Sequence, residues 1–188
     1  ALSSPRLAKT AILSKINLSR RGRKTPPPGG PNGSTYSILL GSRGTTGKRE
    51  DMVRQGSTWY VDFFRNDYLN VYGHLFTAER AAKEAAFVVR TLGLRAGARM
   101  LDLCCGQGRH CVALARHGLH VTGLDLNPAY LELARRAADE ARVAIECVAA
   151  DMRQIPFENA FDAAVNMYSS FGYLESEADD ARVLAALA

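Results

Sequence analysis

A chain of 188 residues, 47% of them hydrophobic, has apolar material for one packed domain with a sizeable core plus an appendage. Its formal charge of +5 does not imply a polyanionic partner, because the charge is unevenly placed: residues 1–50 carry ten Lys/Arg and one acid, whereas residues 51–188 carry 14 basic and 18 acidic side chains and net −4. No apolar run approaches the ~18 residues needed to cross a membrane. The cysteines at 104, 105, 111 and 147 lack zinc-ligand spacing, and the histidines at 74, 110, 117 and 120 do not complete a set, so no metal site is expected.

Residues 1–50 read as a basic, unstructured extension. Ser, Arg, Lys and Leu dominate as far as Lys24, Pro26–Pro31 breaks regular structure, and small polar residues follow to Gly47. The expected compartment is a reducing cytoplasm in which the thiols stay free. The acid-poor, Arg/Ser-rich start equally fits a mitochondrial transit peptide. Residues 51–97 read as an aromatic, helical cap. Apolar positions 60, 61, 64 and 68 recur at helical spacing, and Thr77 is placed to cap a helix that runs to about Thr91 and stops at Gly93.

From 98 to 188 strands and helices alternate. Strands are expected over 100–104, 120–125, 143–148 and 161–166, with helices over 110–116, from Asn127-Pro128 onward, and over 177–187. Tyr130, Leu133, Ala134, Ala137 and Ala141 give the middle helix its apolar stripe. The expectation is an α/β fold with a doubly wound, mostly parallel sheet. Four strands are visible where such sheets usually have about six. The domain therefore reads as incomplete at its C-terminus, with 161–166 as an open, aggregation-prone edge and a chain of low stability and no activity by itself.

In such sheets ligands lie beyond the carboxyl ends of the strands, and Asp102, Asp125, Asp151 and Asn166 all fall near or after predicted strand ends. Gly106 and Gly108 allow a sharp turn and close backbone approach, and the helix beginning near Arg109 offers free N–H groups. Asp125, 17 residues past Gly108, can accept from two ribose hydroxyls; Asp151 can accept from an adenine amino group, and Met152 can touch the ring. Any one of these acids is well explained by turn amides alone. Their joint spacing points to an adenosine-containing ligand without a pyrophosphate.

Leu101-Asp-Leu-Cys-Cys-Gly-Gln-Gly108, Gly123-Leu-Asp-Leu126, Ala150-Asp-Met152 and Phe161-Asp-Ala-Ala-Val-Asn166 resemble, in order, four motifs of the class I S-adenosylmethionine-dependent methyltransferases with a Rossmann-like fold. Cys104 stands where the family has its first glycine. The resemblance covers residues 99–187 and implies S-adenosyl-L-methionine as cofactor, with Asp102, Gly106 and Gly108 at the methionine moiety and Cys104 as a further cofactor-binding position. It puts Asp125 at the ribose and Asp151 and Met152 at the adenine; Leu126 and Asn166 are further cofactor-binding candidates, and the position of Asn166 at the end of the fourth strand suits the methyl-transfer end. Tyr168, with Tyr60 and Tyr68 as a lid, would face the acceptor, a small molecule rather than a nucleic acid. No base is assigned, although His74 has the chemistry for one. A nicotinamide or flavin dehydrogenase would need glycine at 111, where Cys111 stands. A cofactor-binding fragment without activity is the other alternative, and an RNA-binding module rests only on the basic tail. Oligomeric state is left open.

Overall fold

The computed structural model describes residues 9–13, 59–64, 68–168 and 170–187. Its contacts divide the chain into two compact units, residues 1–15 with 60–188, and residues 16–59. All of the second unit but Trp59 lies outside the described residues, as does most of the expected extension and transit peptide.

The described elements are β1 (Lys9–Leu13), α1 (Trp59–Phe63), α2 (Tyr68–Tyr72), a 3-10 turn (Gly73–Leu75), α3 (Ala78–Leu92), β2 (Arg99–Leu103), α4 (Arg109–Ala115), β3 (His120–Asp125), α5 (Pro128–Ala141), β4 (Ile145–Ala149), β5 (Ala163–Met167) and α6 (Glu177–Leu187). The strands are all parallel, in the order β1-β5-β2-β3-β4. From β2 the chain steps outward through β3 to β4, then returns to the other side of β2 as β5. That reversal opens a crevice at the carboxyl ends of β2 and β5.

Side chains alternate across the sheet and bury both faces, as an all-parallel sheet requires. Met100, Val121, Ala163 and Val165 face Ala85 and Val88 of α3, Leu114 of α4 and Leu131 of α5. Leu101, Leu103, Leu124 and Ala164 face Val183 of α6 together with Phe157, Phe161 and Phe171. The three leucines on that second face are at most 1% exposed, and each contributes roughly 1.5–3 kcal/mol of burial.

The helix ends follow local chemistry. Thr77 Oγ1 accepts from the Arg80 N–H at 3.2 Å, and Gly93 closes α3 in the left-handed region at φ 59°. Asn127 Oδ1 accepts from the Ala129 N–H at 3.0 Å, with Pro128 in the first turn of α5.

Three differences from the sequence reading have physical causes. β4 begins at Ile145 rather than at 143, because the Val143 N–H returns to Ala138 O and closes α5. β5 begins at Ala163 rather than 161; Asp162 instead ties the amino ends of β5 and β2 together, its N–H donating to Arg99 O and its carboxylate accepting from the Arg99 N–H, both at 2.9 Å. The edge of β5 expected to stay open carries β1, with Lys9 opposite Ala163 and Leu13 opposite Met167. None of the described helices is long and apolar enough to cross a membrane.

Candidate functional site

The carboxyl ends of β2, β3, β4 and β5 open into a cavity of about 530 Å³, roofed by aromatic side chains of α1, α2 and the segments beside them. This size lies within the ordinary range for small-molecule and cofactor sites.

The β2–α4 turn forms one wall, and its two glycines have different tasks. Gly106 (φ 57°) faces the cavity: a Cβ there would meet only the Tyr130 ring, at 3.9 Å. Gly108 (φ 76°) does not border the cavity, contrary to the expected contact with ligand. A Cβ there would lie 2.5 Å from the Ala134 Cβ, so its absence lets α4 start hard against α5. Cys104 lines the cavity with a left-handed backbone (φ 58°) that a side chain seldom adopts. Its Sγ lies 3.5 Å from Met152 Sδ, and burial pushes its thiol pKa well up.

Each of the three expected acids is in the cavity wall and already has a protein partner. Asp102 is 1% exposed; the Cys111 thiol donates to its Oδ2 at 3.2 Å. Burial pushes its carboxyl up, against the pull of His110, the Cys111 thiol and Arg109. Cys111 thus fills, with a buried thiol, the position where a dehydrogenase turn needs glycine. Asp125 accepts from the Gly106 N–H at Oδ2 and the Asn127 N–H at Oδ1, both at 2.8 Å. Burial raises its pKa, while the N–H groups of Asn127, Gly106 and Leu126 oppose the rise. A carboxylate has about four acceptor positions, so these bonds leave capacity facing the cavity. Asp151 is gripped by the Arg153 fork, with Nη2–Oδ2 2.6 Å and Nε–Oδ1 3.0 Å, and this guanidinium holds its carboxyl below the usual range. Leu126 and Met152 complete this side of the wall.

Asn166, like Gly108, lies outside the cavity wall. It is 2% exposed; its Nδ2 donates to Leu103 O at 2.8 Å and its Oδ1 accepts from the Phe171 N–H at 3.1 Å. It ties the ends of β2 and β5 to the following loop, a structural task that the strand-end position alone did not reveal.

Tyr60, Tyr68 and Tyr168 all border the cavity. Tyr68 packs edge-on against Phe64 with centroids 4.7 Å apart, and burial raises its hydroxyl pKa. Tyr168 sits just past β5 at φ 71°, and its hydroxyl donates to Glu84 Oε1 at 2.8 Å. Glu84, from α3, also takes Arg80 Nε at 3.0 Å and pairs with His110 Nε2 at 2.8 Å. Burial works to raise its pKa, but the bonds from His110, Tyr168 and Arg80 outweigh it and leave the carboxyl lowered. His74 is exposed in the 3-10 turn and does not border the cavity.

Sequence reasoning passed over Glu84, Tyr130 and the Arg109 side chain. Glu84 had one local signal, its i,i+4 pairing with Arg80; its partners at 110 and 168 come together only in the fold. Among the described residues no group of three His, Cys, Asp or Glu is placed to hold a metal ion.

With this geometry in hand, comparison with known proteins is specific. Residues 100–188 match the family model described as "Methyltransferase domain". The glycine/sarcosine N-methyltransferase of Aphanothece halophytica is 28% identical over 131 residues, covering 66% of this chain and 49% of that protein. The 2-phytyl-1,4-naphtoquinone methyltransferase of Nostoc punctiforme is 36% identical over 109 residues, covering 55% of this chain and 44% of that protein. The chain thus spans less than half the length of either relative. Among solved structures, CalS10, an amino pentose methyltransferase from Micromonospora echinaspora solved with S-adenosylmethionine bound, is 31% identical with a TM-score of 0.53, over 65% of this chain and 52% of that one. A glycine turn after β2, acids at or just past the carboxyl ends of β2, β3 and β4, and this set of relatives agree: residues 100–188 are similar to the methyltransferase domain of the class I S-adenosylmethionine-dependent methyltransferases.

Proposed function

We propose that the cavity binds S-adenosyl-L-methionine and that the protein transfers its methyl group to a small-molecule acceptor. The observation that carries this reading is Asp125: a carboxylate fixed at the end of β3 by two N–H groups, with acceptor capacity left over, beside the open face of Gly106. A pair of vicinal ribose hydroxyls is what such a group accepts. The cradle fits the rest of the molecule. The missing Cβ of Gly106 leaves room for close approach, and Met152 offers a polarizable apolar contact for the adenine ring. Asp151, beside it, has only the acceptor positions its Arg153 leaves for the adenine amino group.

The bound cofactor supplies a methyl group already activated on a sulfonium. The chain's own work is then placement and exclusion of water. Asp102 and the turn at Cys104–Gly106 border the amino-acid end, Tyr60 and Tyr68 close the roof, and the Tyr168 hydroxyl, fixed by Glu84, offers a polar group toward the acceptor. No side chain is needed as a base, and none is assigned. A small acceptor is supported by the two relatives, whose named substrates are an amino acid and a quinone.

Calorimetric titration of the 188-residue chain with S-adenosylmethionine tests the reading. Asp125→Ala is expected to lose at least about ten-fold in affinity, since hydrogen bonds to a charged group contribute roughly 1.5–3 kcal/mol each. Unchanged affinity in a variant that still melts cooperatively removes Asp125 from the ribose role.

A further inference from the structure

We infer that Arg109 makes one corner of the cavity a carboxylate-binding site. Its guanidinium borders the cavity between two rings, 4.6 Å from the Phe76 centroid and 4.2 Å from that of Tyr168. The Tyr168 hydroxyl also hydrogen-bonds the guanidinium, but does not satisfy all of its donors. Nη1 is shut off from solvent and has no hydrogen-bond partner. None of the acids lining the same cavity, Asp102, Asp125 or Asp151, reaches it. A desolvated cationic donor without an acceptor is costly, and an anion entering the cavity relieves that cost.

The geometry also selects the anion. The planar fork matches a carboxylate edge-on, and the flanking rings hold its plane and keep water away. Arg109 is the single guanidinium among the described residues bordering the cavity, and no lysine joins it. One positive charge suits a carboxylate better than a phosphate dianion. The carboxylate has two possible sources, the amino-acid end of the cofactor or the acceptor. Only the first depends on the cofactor reading above.

The test uses the full chain, its Arg109→Gln and Arg109→Lys variants, and calorimetry with four probes. S-adenosylhomocysteine carries the amino-acid carboxylate and 5′-methylthioadenosine lacks it; benzoate is a free carboxylate and benzamide its neutral counterpart. If the carboxylate is the cofactor's, Arg109→Gln loses ten-fold or more for S-adenosylhomocysteine and stays within two-fold for methylthioadenosine. If it is the acceptor's, both nucleosides bind the variant as they bind the parent. Benzoate, not benzamide, then binds the nucleoside-loaded parent and is lost in Arg109→Gln. Arg109→Lys, which keeps the charge without the fork, shows the same contrast several-fold smaller and serves if the Gln variant does not fold. Equal binding of all four probes by parent and variants overturns the inference and leaves Arg109 a stacking residue. Failure of both nucleosides to bind the parent overturns the cofactor reading instead, and the benzoate arm still decides Arg109.

Discussion

Two glycines two positions apart are built for opposite purposes. Gly108→Ala would set a Cβ 2.5 Å from Ala134 Cβ at a φ of 76°. Over-packing and left-handed strain together predict a loss of about 2–5 kcal/mol, read as a fall in the urea midpoint. Gly106→Ala meets no such wall, so its stability loss is limited to about 1–2 kcal/mol of backbone strain, while its methyl group intrudes on the cavity and weakens S-adenosylmethionine binding. A sequence motif presents the two as equals; only the packing of α4 on α5 separates them. Cys104 shows the reverse case. The family pattern puts glycine there, and the backbone keeps the left-handed turn at φ 58° although a thiol now occupies the place. Asn166 looked like a site residue because it lies near a strand end. Its amide is instead consumed by Leu103 O and the Phe171 N–H, partners whose approach depends on the register of β5 on β2 and the loop beyond.

Among the elements, those with strong local punctuation were legible and the others drifted. α5 carries Asn127 as cap and Pro128 in its first turn, and β3 is bounded by Gly118 and the acid Asp125; both start where the sequence places them. β4 and β5 start two residues late because Val143 and Asp162 are taken by bonds to Ala138 and Arg99, which no periodicity encodes. α3 brings the least predictable contribution, Glu84, into contact with Arg80, His110 and Tyr168. Its lowered carboxyl pKa has a definite consequence. The folded chain holds the Glu84 proton less tightly than the unfolded chain, so the ionised group stabilises fully above its ordinary pKa of 4.5. That contribution is lost as pH falls through the lower folded value. Urea denaturation should therefore show the parent about 2 kcal/mol more stable than Glu84→Gln near neutrality, with the difference shrinking below about pH 4.5. A difference that stays constant to pH 3 would show that the carboxylate charge does not matter to the network.

At the scale of the whole molecule, the alternation of strands and helices was enough to set the parallel sheet and the end at which a ligand must lie. The acids at 102, 125 and 151 marked that end because each lies at or just past the carboxyl end of a strand. The cap was less legible: its aromatic residues announce burial, but their closing over the cavity depends on how the chain before α3 packs on the sheet. Arg109 was hidden for a similar reason, since the buried, unsatisfied Nη1 exists only once Phe76 and Tyr168 enclose the guanidinium. The strand laid along β5 by Lys9–Leu13 lay in a stretch whose composition gave no strand signal. The central claim is that these pieces enclose one adenosine-containing cofactor. A crystal structure of the chain grown with S-adenosylhomocysteine tests it most directly. The account predicts density in the cavity, with the ribose hydroxyls within hydrogen-bond distance of Asp125 and the adenine against Met152. Density outside the cavity, or in it with the ribose turned away from Asp125, would contradict it.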